Sequence, residues 1–272
     1  MQVPVAAAQI PVCWSVPRNL ETIVAAMSEV APGTLLVMPE GALSGYDDQL
    51  SGLGELSPGE LVRARDAVAA AARRCGVHAV CGSLLFEHGR WWNAALYFSP
   101  AGRSWAYRKA NLATHERGRI AAGATLPVLR MTLPAGEVWT GIQLCREIRF
   151  PEQWHCLARQ GAQVLIYLTY AANPAEPPGV WRAHLISRAA ETQRFVLAAN
   201  VAATSSHCPT MIVSPRGQVI AEAPPGDPAT LRATLDLADT KDSYLRQQRN
   251  DIVSITYHAT VDRQQIEPGH HG

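Results

Sequence analysis

The 272-residue sequence has no apolar run approaching the ~20 residues that span a bilayer, no block of like charge, no Cys-x-x-Cys pair and no His-Glu-x-x-His helix. The first absence leaves no membrane partner to expect. The second, with 24 Lys+Arg set against 23 Asp+Glu and a formal charge of +1, removes the electrostatic footprint of a nucleic-acid binder. The last two exclude the usual zinc spacings, so neither a metal nor a cofactor is expected. Nine histidines are present, but His270 and His271 stand at the extreme carboxyl end. Met1-Gln2-Val3-Pro4 lacks the basic-then-apolar build of a signal peptide, and the six cysteines (Cys13, Cys75, Cys81, Cys145, Cys156, Cys208) therefore read as reduced thiols in a cytoplasmic protein. What is abundant is core-forming material: 47% hydrophobic against 17% charged residues describes a globular chain, read as a single domain over 1–272 acting on a small molecule.

Strands alternate with helices along the chain. Val3–Ile10 is apolar with weak alternation, as in a strand buried on both faces. Pro17 opens a helix carrying Leu20, Ile23, Val24, Met27 and Val30, closed by Pro32-Gly33, and Thr34–Met38 follows as a strand. Ser57-Pro58-Gly59-Glu60 has the residues of a capping box, and Gly76 stands where a left-handed helix end is needed. Strands are then expected at 77–86, 91–98, 103–107, 127–133, 137–144, 164–168, 195–201, 210–213, 218–222 and 231–235, with helices at 151–160 and 180–193. The longest loop signal runs from Asn173 to Gly179. This mixed α/β pattern, without linker or repeat, favours a two-sheet sandwich flanked by helices over a single doubly wound sheet.

Reactive groups in α/β folds gather beyond the carboxyl ends of strands, and three such ends stand out. Leu36-Val37-Met38-Pro39-Glu40 delivers a carboxylate from an apolar strand, Tyr107-Arg108-Lys109 an ammonium, and Leu144-Cys145-Arg146-Glu147 a thiol at a strand-to-helix elbow. Singly these read as a loop acid, a terminal charge and a buried thiol. Together they supply a nucleophile favoured as thiolate by the helix end, a proton acceptor and an oxyanion stabiliser.

In that order and context the residues resemble the nitrilase or carbon–nitrogen hydrolase superfamily, whose members use a Glu-Lys-Cys triad. Met38-Pro39-Glu40 with Ser44-Gly45-Tyr46 looks like the glutamate segment, Tyr107-Arg108-Lys109-Ala110-Asn111-Leu112 like the lysine segment, and Gly141 to Glu152 like the nucleophile segment. Arg188-Ala189-Ala190-Glu191, Ala199-Asn200 and Pro215-Arg216-Gly217 follow in the family's order. The resemblance implies an αββα sandwich, usually paired into a homodimer or higher homo-oligomer, with residues 247–272 (Arg249, Tyr257 and His258 among them) as a tail that crosses to a partner subunit or is disordered. It also implies a second glutamate after the lysine, which Glu116 matches. Departures are Asn111 where histidine is frequent, Arg146 directly after the cysteine, and Ala202-Ala203 where glycine is usual.

The chemistry so implied is attack by Cys145 on an amide carbon, with Glu40 taking and returning the proton and Lys109 and the Arg146 N–H holding the oxyanion. Tyr46, Tyr170, Asn173 and Arg146 are expected at the substrate, with Asn173 equally readable as a turn residue. The Arg146 guanidinium would pair with a substrate carboxylate or lock Glu147 or Glu152. The nucleophile segment favours the amidase-type branches; an N-carbamoyl amine, a secondary amide or a nitrile remains open as substrate. Competing readings are a Cys-His enzyme using His115, His184 or His207, a zinc amidohydrolase, and a binding protein that keeps the fold.

Overall fold

The computed structural model describes residues 1–173, 175–177, 179–254 and 256, and 263–264 by their backbone. In chain order the elements are β1 (Gln2–Gln9), α1 (Val16–Ser28), β2 (Leu35–Val37), α2 (Pro58–Cys75), β3 (His78–Glu87), β4 (Arg90–Phe98) and β5 (Ser104–Arg108). The second half adds β6 (Val128–Leu133), β7 (Gly136–Leu144), α3 (Pro151–Arg159), β8 (Val164–Leu168), α4 (Val180–Thr192) and β9 (Phe195–Ala199). It closes with β10 (Thr210–Val213), β11 (Val219–Ala223), β12 (Ala229–Asp236), α5 (Ser243–Gln247) and β13 (Arg263–Gln264). Short 3₁₀ turns at Leu53–Glu55, Thr114–Glu116, Cys145–Arg149 and Leu237–Asp239 join them.

Two sheets result, ordered β12-β1-β2-β3-β4-β5 and β11-β10-β9-β8-β7-β6-β13. Helices α1 and α2 cover the first and α3 and α4 the second, giving the αββα sandwich and excluding the single doubly wound sheet. The weak alternation of β1 now has its reason. Val3, Val5 and Ala7 point into the layer between the sheets, while Ala6 and Ala8 meet the helix pair α1 and α2, so both faces are apolar. Strand β2 repeats this with Leu35 and Val37 on one side and Leu36 on the other.

The caps formed as the sequence implied: Ser57 accepts the Glu60 N–H, and Gly76 is left-handed at φ +68°. Strands β3 and β4 form a hairpin through His88 and Gly89, both at positive φ. Helix α5 and strand β13 were not expected, and strand β12 is longer than expected. It runs over 229–236, longer than its apolar kernel, and pairs antiparallel with β1 from Gln2↔Asp236 to Gln9↔Ala229. Backbone pairing sets its length, and its outward residues are polar. Among the described residues no helix is long and apolar enough to cross a membrane. In the carboxyl-terminal segment Arg249 pairs with Asp251 and β13 lies parallel to β6, whereas Tyr257, His258, His270 and His271 lie outside the described residues.

Candidate active site

Glu40 follows β2 after Met38-Pro39 and is wholly buried. The segment is held against β3 by Met38 N–H to Val80 O (2.9 Å) and Gly82 N–H to Pro39 O (2.9 Å). This approach needs glycine at position 82, where a Cβ would meet the Gly41 nitrogen at 2.5 Å. The carboxylate accepts Lys109 Nζ at 2.9 Å and Asn93 Nδ2 at 2.7 Å on Oε1, and the Tyr170 N–H at 3.0 Å on Oε2.

Lys109 follows β5 directly, its N–H fixed to Asn93 O at 2.8 Å, and its ammonium is fully buried between Glu40 and Glu116 (3.0 Å to Oε2). Burial works against this charge, but the two carboxylates outweigh it and hold the ammonium above its ordinary range. Burial likewise opposes the Glu116 carboxylate; Lys109, Asn93 and the Ala113 N–H prevail and hold it below the ordinary range. Asn93 Nδ2 reaches both Glu40 Oε1 and Glu116 Oε1, the latter at 2.6 Å. Sequence reasoning missed Asn93; its one signal is a polar residue at an inward position of an apolar strand.

Tyr46 is buried behind this cluster, not on the cavity wall. Its hydroxyl donates to Glu116 Oε1 at 2.8 Å and contacts His115 Nε2 at 2.9 Å. The expected substrate contact therefore becomes a support for Glu116.

Cys145 follows β7 and opens its 3₁₀ turn at φ +42°, a left-handed conformation that a non-glycine residue adopts only where its surroundings enforce it. The enforcement is visible. Tyr167 Oη donates to Cys145 O at 2.8 Å, Arg188 Nη2 to Ile148 O at 3.0 Å, and Trp154 Nε1 to Glu147 O at 3.0 Å. Buried Glu147 ties the turn to the lysine segment: Oε1 accepts Tyr107 Oη (2.7 Å) and the N–H groups of Ala110 (2.8 Å) and Asn111 (3.0 Å), and Oε2 accepts Leu144 N–H (2.8 Å). Arg146 therefore does not lock Glu147, whose acceptors are already filled.

The thiol is not the helix-stabilised thiolate that the elbow suggested. Burial first, then the charge of Glu40, push it up to about 12 against the opposing pull of Lys109. Helix α3 begins at Pro151, after the 3₁₀ turn Cys145–Arg149, so Cys145 does not itself stand at its amino end. A neutral thiol facing a carboxylate and an ammonium needs its proton removed as it attacks.

Cys145 opens onto a cavity of about 150 Å³ whose walls include His115, Arg146, Tyr170, Asn173, Glu176 and His207. Tyr170 contributes its ring here and its N–H to Glu40. Asn173 is exposed at the rim and serves as a turn residue as well, its Oδ1 accepting Ala175 N–H at 3.0 Å. The three candidate histidine bases are engaged elsewhere: His115 with Tyr46, His207 with the Asn173 N–H at 3.1 Å, and His184 with Arg149 at 3.3 Å.

The sequence model of the family described as carbon-nitrogen hydrolase matches residues 4–243. The chain is 29% identical over 217 residues to an (R)-stereoselective amidase of Pseudomonas sp., covering 75% of this chain and 74% of that one. It is 31% identical over 202 residues to a deaminated glutathione amidase of Homo sapiens, covering 66% of this chain and 59% of that one. Its fold matches a mutant amidase from Nesterenkonia sp. AN1 that shows covalent addition of the acetamide moiety of fluoroacetamide at the active site cysteine. That likeness has a TM-score of 0.78 at 22% identity and covers 92% of this chain and 95% of that one.

Proposed function

The chain belongs to the carbon–nitrogen hydrolase family, and on that premise we propose that it hydrolyses a small amide through a thioester on Cys145, releasing ammonia or an amine and a carboxylic acid. The observation that carries this reading is the buried cluster in which Lys109 lies between Glu40 and Glu116 beside a neutral thiol held at positive φ.

The Cys145 sulfur attacks the amide carbon while its proton passes to Glu40. Negative charge develops on the carbonyl oxygen, where the Lys109 ammonium and the Arg146 N–H would receive it; preorganised donors of this kind are typically worth roughly 3 kcal/mol each. Glu40 then protonates the departing nitrogen, the C–N bond breaks and the thioester remains. Water enters, Glu40 takes its proton, and collapse of the second tetrahedral intermediate returns the thiol and releases the acid. Glu116 acts as a positioning residue that holds Lys109 and, through Asn93, Glu40.

The test is ammonia release across short primary amides, N-carbamoyl amino acids and nitriles, with Cys145→Ala as control and mass spectrometry to catch the acyl-enzyme. Release that disappears in the variant, together with an adduct on Cys145, supports the reading and selects among these substrates. Folded protein that releases no ammonia and gains no adduct overturns hydrolysis of these substrates in favour of a secondary amide, an acyl transfer or a non-catalytic binding role.

We further propose a single functional unit over 1–272, a homodimer or larger homo-oligomer, and a cytoplasmic location. The last is supported by six free cysteines, the state kept by a reducing compartment. Mass measurement in solution tests the assembly.

A further inference from the structure

The mechanism above uses Arg146 through its backbone alone. Its side chain is partly buried in the wall of the cavity onto which Cys145 opens, and among the described residues the guanidinium has no ion pair and no hydrogen bond. Such a group normally finds a partner when water is restricted around it. Two of the acids close to it are committed elsewhere. Glu147 is filled by four donors, and Glu176 Oε2 pairs with Arg149 Nη2 at 3.1 Å.

A second donor on the same wall is also unanswered. His207 Nδ1 accepts the Asn173 N–H, so the proton of the neutral ring sits on Nε2, and Nε2 is buried without an acceptor. Burial is the main influence on the His207 imidazole, followed by the charge of Glu176, with Arg149 and Arg146 opposing that acid.

We propose that Arg146 and His207 form a carboxylate-binding subsite, and that the preferred substrate is a small amide bearing a carboxylate within a few bonds of the scissile C–N group. This rests on the amide-hydrolase reading and adds the substrate class. A guanidinium presents paired N–H donors that match a carboxylate, with the imidazole N–H as a further donor. A neutral substrate leaves both donors unsatisfied. The cavity, about 150 Å³, is of the size that holds a benzene molecule, which confines the proposal to short compounds. A carboxylate on the acyl side and one on the departing amine both satisfy this chemistry, and the two are separable by experiment.

Turnover of succinamate and butyramide, close in length and different in charge, reads the subsite. Wild type favours succinamate in kcat/KM, and Arg146→Gln lowers the succinamate-to-butyramide ratio about tenfold to a hundredfold, the span expected for hydrogen bonds to a charged group. Arg146→Lys restores part of the ratio, and His207→Asn lowers it less than Arg146→Gln does. N-carbamoylglycine places the carboxylate on the amine side; preference for it over N-carbamoyl methylamine, with no preference for succinamate over butyramide, assigns the subsite to the leaving group. Equal use of charged and neutral partners in both pairs, or an unchanged ratio in Arg146→Gln, overturns the proposal.

Calorimetric titration of Cys145→Ala with succinamate and butyramide, and with the two N-carbamoyl compounds, reads binding without turnover. Tighter binding of the carboxylate member of either pair, lost when Arg146→Gln is added, sustains the subsite even if no amide is hydrolysed, in which case the hydrolase reading alone fails. No difference within either pair overturns the subsite while leaving the hydrolase reading intact.

Discussion

A Cβ added to Gly82 would stand 2.4 Å from the Cα of Glu40. The obstacle is backbone, so no side-chain rotation relieves it. Gly82→Ala is expected to push the glutamate segment off β3, costing about 1–3 kcal/mol of stability by overpacking and lowering activity more than Tm alone explains. Thermal melts with kcat/KM on the same preparation check this; wild-type activity in a correctly folded variant refutes it.

Asn93 gives its amide nitrogen to two carboxylates at once, at 2.7 and 2.6 Å. Asn93→Ala removes a donor from each and is expected to cut kcat by about tenfold to a hundredfold, since hydrogen bonds to charged groups contribute about 1.5–3 kcal/mol. The loss should appear in kcat more than in KM, because Asn93 lies behind the reacting groups. A change confined to KM counts against this placement.

Glu40→Gln separates proton transfer from thiol reactivity. Glu40 is among the groups that push the Cys145 thiol up to about 12, so removing its charge lets that value fall. Deprotonation follows rising pH, with the thiolate fraction growing about tenfold per unit below the pKa. The variant should therefore lose amide turnover yet still be alkylated by iodoacetamide, with its rate–pH curve displaced to lower pH. Mass spectrometry of the alkylated peptide follows this, and a displacement to higher pH contradicts the assigned electrostatics.

Burial lifts the Glu147 carboxyl from 4.5 to about 7 against the pull of the Asn111 and Leu144 N–H groups and the Tyr107 hydroxyl. Between those values the folded chain retains a proton that the unfolded chain has released, so this group's contribution makes stability fall as pH rises through that window and level off above it. Urea midpoints at about pH 5 and pH 8 measure the slope, and Glu147→Gln should remove this part of it. The amide also turns an N–H₂ toward one of the four donors now facing the carboxylate, so lower stability is expected at both pH values. A variant as stable as wild type sinks this account.

Glu40, Lys109 and Cys145 stood out because each comes at or just beyond a predicted strand end, and Glu116 through the family resemblance rather than through spacing. The two sheets followed from the alternation of apolar strands with capped helices. Asn93 was not legible, since nothing in Trp92-Asn93-Ala94 says which strand residues will face a carboxylate arriving from β2 across β3. Tyr46 was placed at the substrate by its nearness to Glu40 in sequence, yet its hydroxyl meets Glu116 and His115. Glu147 stands beside Arg146 in the chain, but its side chain serves backbone groups at 110, 111 and 144. Such pairings depend on tertiary register that one-dimensional spacing does not carry.

The pairing of β1 with β12, reinforced by the Met1 amino group at 3.2 Å from Asp236 Oδ1, bears on how the protein is made. Strand β1 must wait with one edge open until residue 236 has been synthesised. Helices α1 and α2 can collapse onto the early strands, but the first sheet reaches its full width only once β12 has been made. A nascent chain halted before β12 carries every residue of the Glu40, Lys109 and Cys145 site and still exposes an unpaired β1 edge, the kind of surface that recruits chaperones or a second unfinished chain.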